Sequence, residues 1–274
     1  MQYDELPEPA DLHAALSARH PLAWGNPIPS HAELEASYGS QATTASLRML
    51  AKAADREPFI TSALLISVPP GSVTHQLECR VKSPFSLARK LGNQLRATTA
   101  VVDPGDVLRF TIVAESPDDL VLTARLAVAE LQGEQWRAAF ARNSYVGGSR
   151  YKGLHVNFHD ASGQAVELQF HSPQSIGVKT ATTLLYDIER DRDRPPRERE
   201  AARAECVNLS ETLAMPCGLP ELKRIGGVAV DVRGYGLPRR VDESRGAEPL
   251  DSTHRLGIGD GHSRQRSTNE GISR

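Results

Sequence analysis

The dipeptide Ser-Pro occurs three times, at Ser83-Pro84, Ser116-Pro117 and Ser172-Pro173, and each copy follows a stretch that reads as a strand. Serine caps helices well because its hydroxyl accepts from a free amide of the first turn. Proline suits the first helical position, where its missing N–H costs nothing. Strand, Ser-Pro and helix in repetition predict an α/β or α+β domain with short connections. The strands are Thr74–Lys82, the nearly continuous apolar Asp106–Ala114, and Trp136–Ala141, followed by a hairpin. The helices start at Ser83 and cover Asp118–Leu131 and Pro173–Arg190. Upstream, Thr44–Leu65 repeats apolar residues at helical spacing, and Pro58 predicts two helices or a break. Asp11–Arg19 and His31–Tyr38 read as short helices.

The hairpin is Tyr145–Ser172. A polar loop with glycines, Tyr145–Lys152, leads into a strand, Gly153–His159; Asp160-Ala161-Ser162-Gly163 supplies the turn, and Gln164–His171 returns. Successive strand side chains alternate faces. Val166, Leu168 and Phe170 therefore belong to a core, while Glu167, Gln169 and His171 line up on the other side. Taken alone, such a row is more often a solvated face than a site.

Composition narrows the function classes. The chain has 274 residues, net charge −2, 39% hydrophobic and 5% aromatic residues, which suits one domain with weakly structured ends. Bulk charge gives no reason to expect nucleic-acid binding. No apolar run approaches the roughly 20 residues that span a bilayer, and the start, MQYDELPEP, lacks the apolar core of a signal peptide. Cys79, Cys206 and Cys217 make neither a zinc spacing nor an even disulfide set, so a cytoplasmic location is expected, with a specially exported effector as the alternative.

Three constellations carry chemistry. Arg80 and Lys82 are two apart on an expected strand face, and Lys82, Ser86 and Lys90 follow at four-residue steps beside a helix N-terminus, where free amides attract anions. That pattern is a phosphate cradle or a plain basic stripe. Asp106, at the start of a strand that also carries Arg109, is a turn residue or a magnesium ligand paired with Glu167. Arg150, Tyr151, Lys152 and His155 place a ring among cations, which suits a base and its phosphates as well as a solvated loop.

The order Arg-x-Lys-x3-Ser-x3-Lys, then Asp and Arg, then Tyr-x-Gly-Leu-His, then Glu-Leu-Gln-Phe-His resembles the synthetase domain of RelA/SpoT-type alarmone enzymes over about residues 45–190. Those enzymes move pyrophosphate from ATP to the 3′ hydroxyl of a guanine nucleotide. The chain looks like a small, synthetase-only member, and ELQFHSPQS followed by LLYDIER is similar to secreted nucleotide pyrophosphokinases and RelA-like toxins. The resemblance implies a nucleotidyltransferase-like α+β fold, a mixed sheet of about five strands flanked by helices. It implies Arg80 against adenine, Lys82, Ser86 and Lys90 on the phosphates of ATP with Arg109 beside them, and Asp106 and Glu167 on Mg2+, with Glu167 also the base. It implies Tyr151 stacked on the acceptor base, with Arg150, Lys152, His155 and Gln169 around the acceptor's sugar and phosphates. Asp106 stands closer to Arg109 than in the family, with parity kept so that the two point to opposite faces; Ser149-Arg150 replaces Asn-Gly, and Arg142 or Arg150 replaces a loop lysine.

The expected organisation is a partly disordered or short-helical N-terminal part over 1–43, the synthetase domain over 44–190, a charged helical extension over 191–235 and a disordered tail over 236–274. The expected partners are ATP and a purine nucleotide acceptor. The alternatives are a toxin of the same fold that acts on an RNA 3′ end, and a degenerate nucleotide-binding module.

Overall fold

A computed structural model describes residues 6–98, 100–191 and 193–235 of the chain. The expected tail over 236–274 lies outside the described residues. Three helices come first: α1 (Pro9–Leu16), α2 (His31–Tyr38) and α3 (Ser40–Ile66). α2 starts with a full capping box, in which Ser30 and Glu33 satisfy each other's amides. α3 runs unbroken through Pro58, so the expected break is absent. An interior proline costs ~3 kcal/mol. Leu47 and Leu50 before it and Ile60 and Leu64 after it are fully buried, each contributing roughly 1.5–3 kcal/mol. Burial on both sides outweighs the lost hydrogen bond.

The expected strand Thr74–Lys82 is replaced by a two-residue β1 (Val73–Thr74), a 3-10 turn over Leu77–Cys79 and a single bridge from Val81 to Leu108. Gln76 takes a left-handed conformation, φ 51°, which turns the chain out of the strand. Then follow α4 (Pro84–Ala97), β2 (Leu108–Val113), α5 (Leu120–Gly133), β3 (Arg137–Asn143), β4 (Leu154–His159), β5 (Ala165–His171), α6 (Pro173–Arg190), α7 (Pro196–Glu211), β6 (Arg224–Ile225) and β7 (Val228–Val232). Two of the three Ser-Pro pairs cap helices: Ser83 Oγ accepts from Ser86 N, and Ser172 Oγ from Ser175 N. Ser116 instead donates to Asp119 at 2.6 Å, and α5 begins three residues after Pro117.

The architecture is α+β, a mixed sheet with helices packed on it. The sheet has seven strands in the order β1-β2-β5-β4-β3-β7-β6. β2 and β5 are parallel, as are β3 and β7, and the other neighbours are antiparallel. The two strands beyond the expected five or so come from the stretch read as a charged helical extension. Only its α7 half is helical, and Val228–Val232 pair with β3. Val166, Leu168 and Phe170 of β5 are fully buried, as are Leu154, Val156 and Phe158 of β4 and Leu108 and Ile112 of β2. This apolar side of the sheet is the core. The other side holds the site.

Arg80 leaves the 3-10 turn in a helical conformation, so the strand parity that paired it with Lys82 does not apply. Its side chain is fully buried. Nε donates to Glu57 at 2.5 Å, Nη1 to the carbonyls of Pro21 and Leu77, and Nη2 to those of Leu16 and His20. Thr61 donates to the same Glu57 oxygen at 2.6 Å. Trp24 Nε1 donates to the Val81 carbonyl at 2.9 Å. Residues 16–24 are thereby tied down over this corner. Every Arg80 nitrogen is spent, on Glu57 and on the carbonyls of Leu16, His20, Pro21 and Leu77, which corrects the expectation of an adenine contact.

Candidate active site

The polar row of β5 is covered rather than solvated. Glu167 lies between Arg109 of β2 and Asn157 of β4, and Gln169 between Thr111 and His155. Partners in register on neighbouring strands share a face, so these six side chains form a polar floor. Gln169 and His171 are buried. The loop before β4, the middle of α6 from Lys179 to Tyr186, and Tyr235 after β7 wall this floor into a cleft of about 380 Å³, whose lining includes Asp106, Arg109, Tyr151, His155, Glu167, Gln169, Lys179 and Tyr235.

Glu167 is the best-held group. Its Oε1 lies 3.0 Å from His155 Nδ1, and Oε2 accepts from Gln169 Nε2 at 3.0 Å. Burial alone pushes its pKa up. The hydrogen bond and charge of His155, the charge of Arg109 and the Gln169 amide outweigh burial and take it to about 2. It is a carboxylate at any working pH.

Asp106 sits in the loop before β2, not within a strand. The loop is set by a turn at Gly105, whose amide accepts no strain from its φ of 70° and donates to Asp103 Oδ1 at 2.8 Å. Asn157 Nδ2 then donates to the Gly105 carbonyl at 3.1 Å, which ties the loop to β4. Strand parity therefore does not separate Asp106 from Arg109, and both line the one cleft. Asp106 Oδ2 is bracketed by Lys82 at 3.0 Å and Lys90 at 2.8 Å. Burial lowers the pKa of Lys82 and the Asp106 charge works against that fall. Lys82 and Lys90 thus meet the cleft through Asp106. Ser86 is on the first turn of α4, its amide already given to Ser83.

The loop cations are engaged outward. Arg150 is ion-paired with Glu189 of α6 and lies over the Tyr186 ring at 5.0 Å. Lys152 is 3.5 Å from Glu211 of α7. Of the two, only Arg150 lines the cleft. Tyr151 is in the cleft, edge-on to His155, His171 and Tyr235, each at 5.4 Å between centroids. Its hydroxyl is 2.5 Å from His171 Nε2, while His171 Nδ1 is 2.9 Å from Ser175 Oγ. Burial first, then the charges of Lys179 and His155, hold His171 well below its ordinary pKa, so it is neutral. Burial likewise lifts Tyr151 well above its ordinary value. Gly153 makes this packing possible. A Cβ there would stand 2.9 Å from His171 Cε1 and 3.0 Å from His155 Nε2.

Tyr235 and Lys179, which both line the cleft and contact its polar floor, escaped the sequence reading. Tyr235, after β7, places its hydroxyl 3.1 Å from His155 Nδ1, and burial raises its pKa to about 12. Nothing local marks it, because it arrives through the β3–β7 pairing. Lys179 lies on α6, four residues after Ser175, and its Nζ reaches Gln169 Oε1 at 3.4 Å. That four-residue step from the cap of α6 toward β5 was a usable signal.

The donor set suits magnesium. It is two carboxylates, one of them with a free oxygen: Asp106 Oδ1 is buried and without a partner. No trio of His, Cys, Asp or Glu that could hold a metal occurs among the described residues. No described helix is long and apolar enough to cross a membrane.

In structure the chain is similar to small alarmone synthetases. It is 16% identical to small alarmone synthetase 1 from Bacillus subtilis, solved with its product pppGpp, over 52% of this chain and 70% of that one, at a TM-score of 0.36. For small alarmone synthetase 2 from Bacillus subtilis the figures are 13% identity, 60% and 91% coverage, and a TM-score of 0.39. For the Type VI effector Tas1, solved with its immunity protein, they are 15%, 63% and 96%, and 0.36. No family model matches the chain, and no curated protein matches it in sequence.

Proposed function

We propose that the chain is an ATP-dependent nucleotide 3′-pyrophosphokinase, which transfers pyrophosphate from ATP to the 3′ hydroxyl of a purine nucleotide and releases AMP. The observation that carries this reading is the pairing in one cleft of Asp106, with its unpartnered buried oxygen, and Glu167, held ionised, among the cations Lys82, Lys90, Arg109 and Lys179. Transfer of phosphoryl-type groups is mostly positioning and neutralisation of charge. A cleft with two carboxylates and surplus cations supplies both.

In this reading the 3′ oxygen forms a bond to the β-phosphorus. The bond from that phosphorus to the α–β bridging oxygen breaks, and AMP leaves with the bridging oxygen. The hydroxyl proton passes to Glu167, whose low pKa makes it an orienting acceptor that takes the proton late rather than a strong base. Asp106 and Glu167 would hold Mg2+, which neutralises charge on the phosphates when bound. Tyr151, with Tyr235 beside it, offers rings to the acceptor base. His155 holds Glu167 in place from the strand alongside.

The test is incubation with magnesium, ATP and GDP, GTP, an adenine nucleotide or an RNA 3′ end in turn, followed by chromatography. AMP together with a pyrophosphorylated mononucleotide supports the reading. AMP formed only with RNA shifts the acceptor to an RNA end. No AMP with any acceptor removes the enzyme and leaves a binding module.

A further inference from the structure

We propose that Lys179 is a phosphate-binding residue, and that with Arg109 it seats one phosphoryl group of a polyphosphate chain in the cleft. The assignment rests on the pyrophosphokinase reading and adds a residue and a subsite to it.

The charges of the cleft do not balance. Asp106 is taken by Lys82 and Lys90. Glu167 is taken by His155 and Gln169. Arg150 has Glu189. Among the described residues, no carboxylate lies within ion-pair distance of Arg109 or Lys179, although both line the same cleft. Lys179 has one weak neutral partner, the Gln169 carbonyl oxygen at 3.4 Å. Burial and the nearby Arg109 guanidinium both disfavour its charge, and Glu167 offsets them only in part. Two cations drawn together from different elements, β2 and α6, repel each other until an anion lies between them.

The partner chemistry follows. A phosphoryl group carries the charge to satisfy both cations. Its tetrahedral oxygens can take the planar fork of Arg109 on one side and the point charge of Lys179 on another. Gln169 fixes the place: its amide donates to Glu167 and its carbonyl oxygen faces Lys179. The seat is therefore one side chain away from the carboxylate assigned to the acceptor hydroxyl. That is where the group under attack has to lie.

A ligand-binding lysine without an ion pair costs the free protein stability, which separates it from a structural lysine. The experiment uses the full chain and inorganic pyrophosphate, titrated calorimetrically without added metal, with thermal unfolding of the same samples. Lys179→Met is expected to weaken pyrophosphate binding by about tenfold or more, the equivalent of one charge-assisted hydrogen bond. Its Tm is expected to equal or exceed that of the parent, and Lys179→Arg to keep affinity within about threefold. Pyrophosphate that fails to bind the parent, or binds Lys179→Met unchanged, overturns the proposal, as does a Lys179→Met protein whose Tm falls. The probe has no nucleoside and undergoes no transfer. Pyrophosphate bound through Lys179 without AMP formation would sink the enzyme reading and keep the seat, and AMP formation with unaltered pyrophosphate binding in Lys179→Met would do the reverse.

Discussion

His155 Nδ1 lies 3.0 Å from Glu167 Oε1, across the pair of strands β4 and β5. This contact is the main force holding Glu167 ionised in a buried place, and Arg109 adds to it. The folded pKa is about 2, against an ordinary 4.5. Between those values the unfolded chain binds the proton and the folded chain does not. The stabilisation is present above pH 4.5 and lost as pH falls toward 2. It is on the order of a few kcal/mol at neutral pH. Glu167→Gln is expected to flatten the acid limb of stability against pH, followed by urea unfolding, and to lower AMP formation by ~100-fold or more. A Glu167→Gln protein with the parent's acid limb would contradict the assignment.

Arg80 and Glu57 form a buried pair, with neither side chain reaching solvent. Arg80→Met leaves Glu57 buried and unpaired, and releases the carbonyls of residues 16, 20 and 21. A loss of about 3–5 kcal/mol in unfolding free energy is expected. In the folded fraction the KM for ATP should stay within about twofold of the parent. A large rise in KM with little loss of stability would restore Arg80 to the nucleotide.

Gly153→Ala puts a methyl group 2.9 Å from His171 Cε1. The His171 imidazole is held against retreat, since it is hydrogen-bonded at both nitrogens. The expected cost is about 1–3 kcal/mol. AMP formation should fall further than stability does, because His155 also holds Glu167. Measured kcat and urea midpoint together check this.

Tyr235→Phe removes one hydroxyl from His155 and keeps the ring beside Tyr151. Stability should drop by about 0.5–1.5 kcal/mol, the net value of one hydrogen bond. Tyr235→Ala removes the ring as well and should raise the KM for the acceptor with little change in that for ATP. Equal effects on both substrates would place Tyr235 outside the acceptor side.

What the sequence displayed was its local chemistry. The alternation at Val166–His171 fixes a buried face and a polar one, and the cap at Ser172-Pro173 starts α6 where the structure has it. Lys82 and Lys90, read from their spacing as phosphate ligands, both meet Asp106, a contact the spacing did not announce. What failed depended on the fold. Arg80 reads as a strand residue until Gln76 turns left-handed before it. Arg150 and Lys152 read as free loop cations until α6 and α7 bring Glu189 and Glu211 to them. Leu122 and Leu126 fit a helical stripe, yet they are half exposed or more, because α5 buries Ala124, Ala127 and Leu131 instead. Tyr235 enters only because β7 pairs with β3.

The most direct test of the central claim follows the pyrophosphate itself. ATP labelled in the γ-phosphate is incubated with the full chain, magnesium and a purine nucleotide, and the label is located. The account predicts that label and AMP appear in equal amounts, the label on the acceptor, and that both vanish in Glu167→Gln. Label released as free phosphate or pyrophosphate, with the acceptor unchanged, would contradict it.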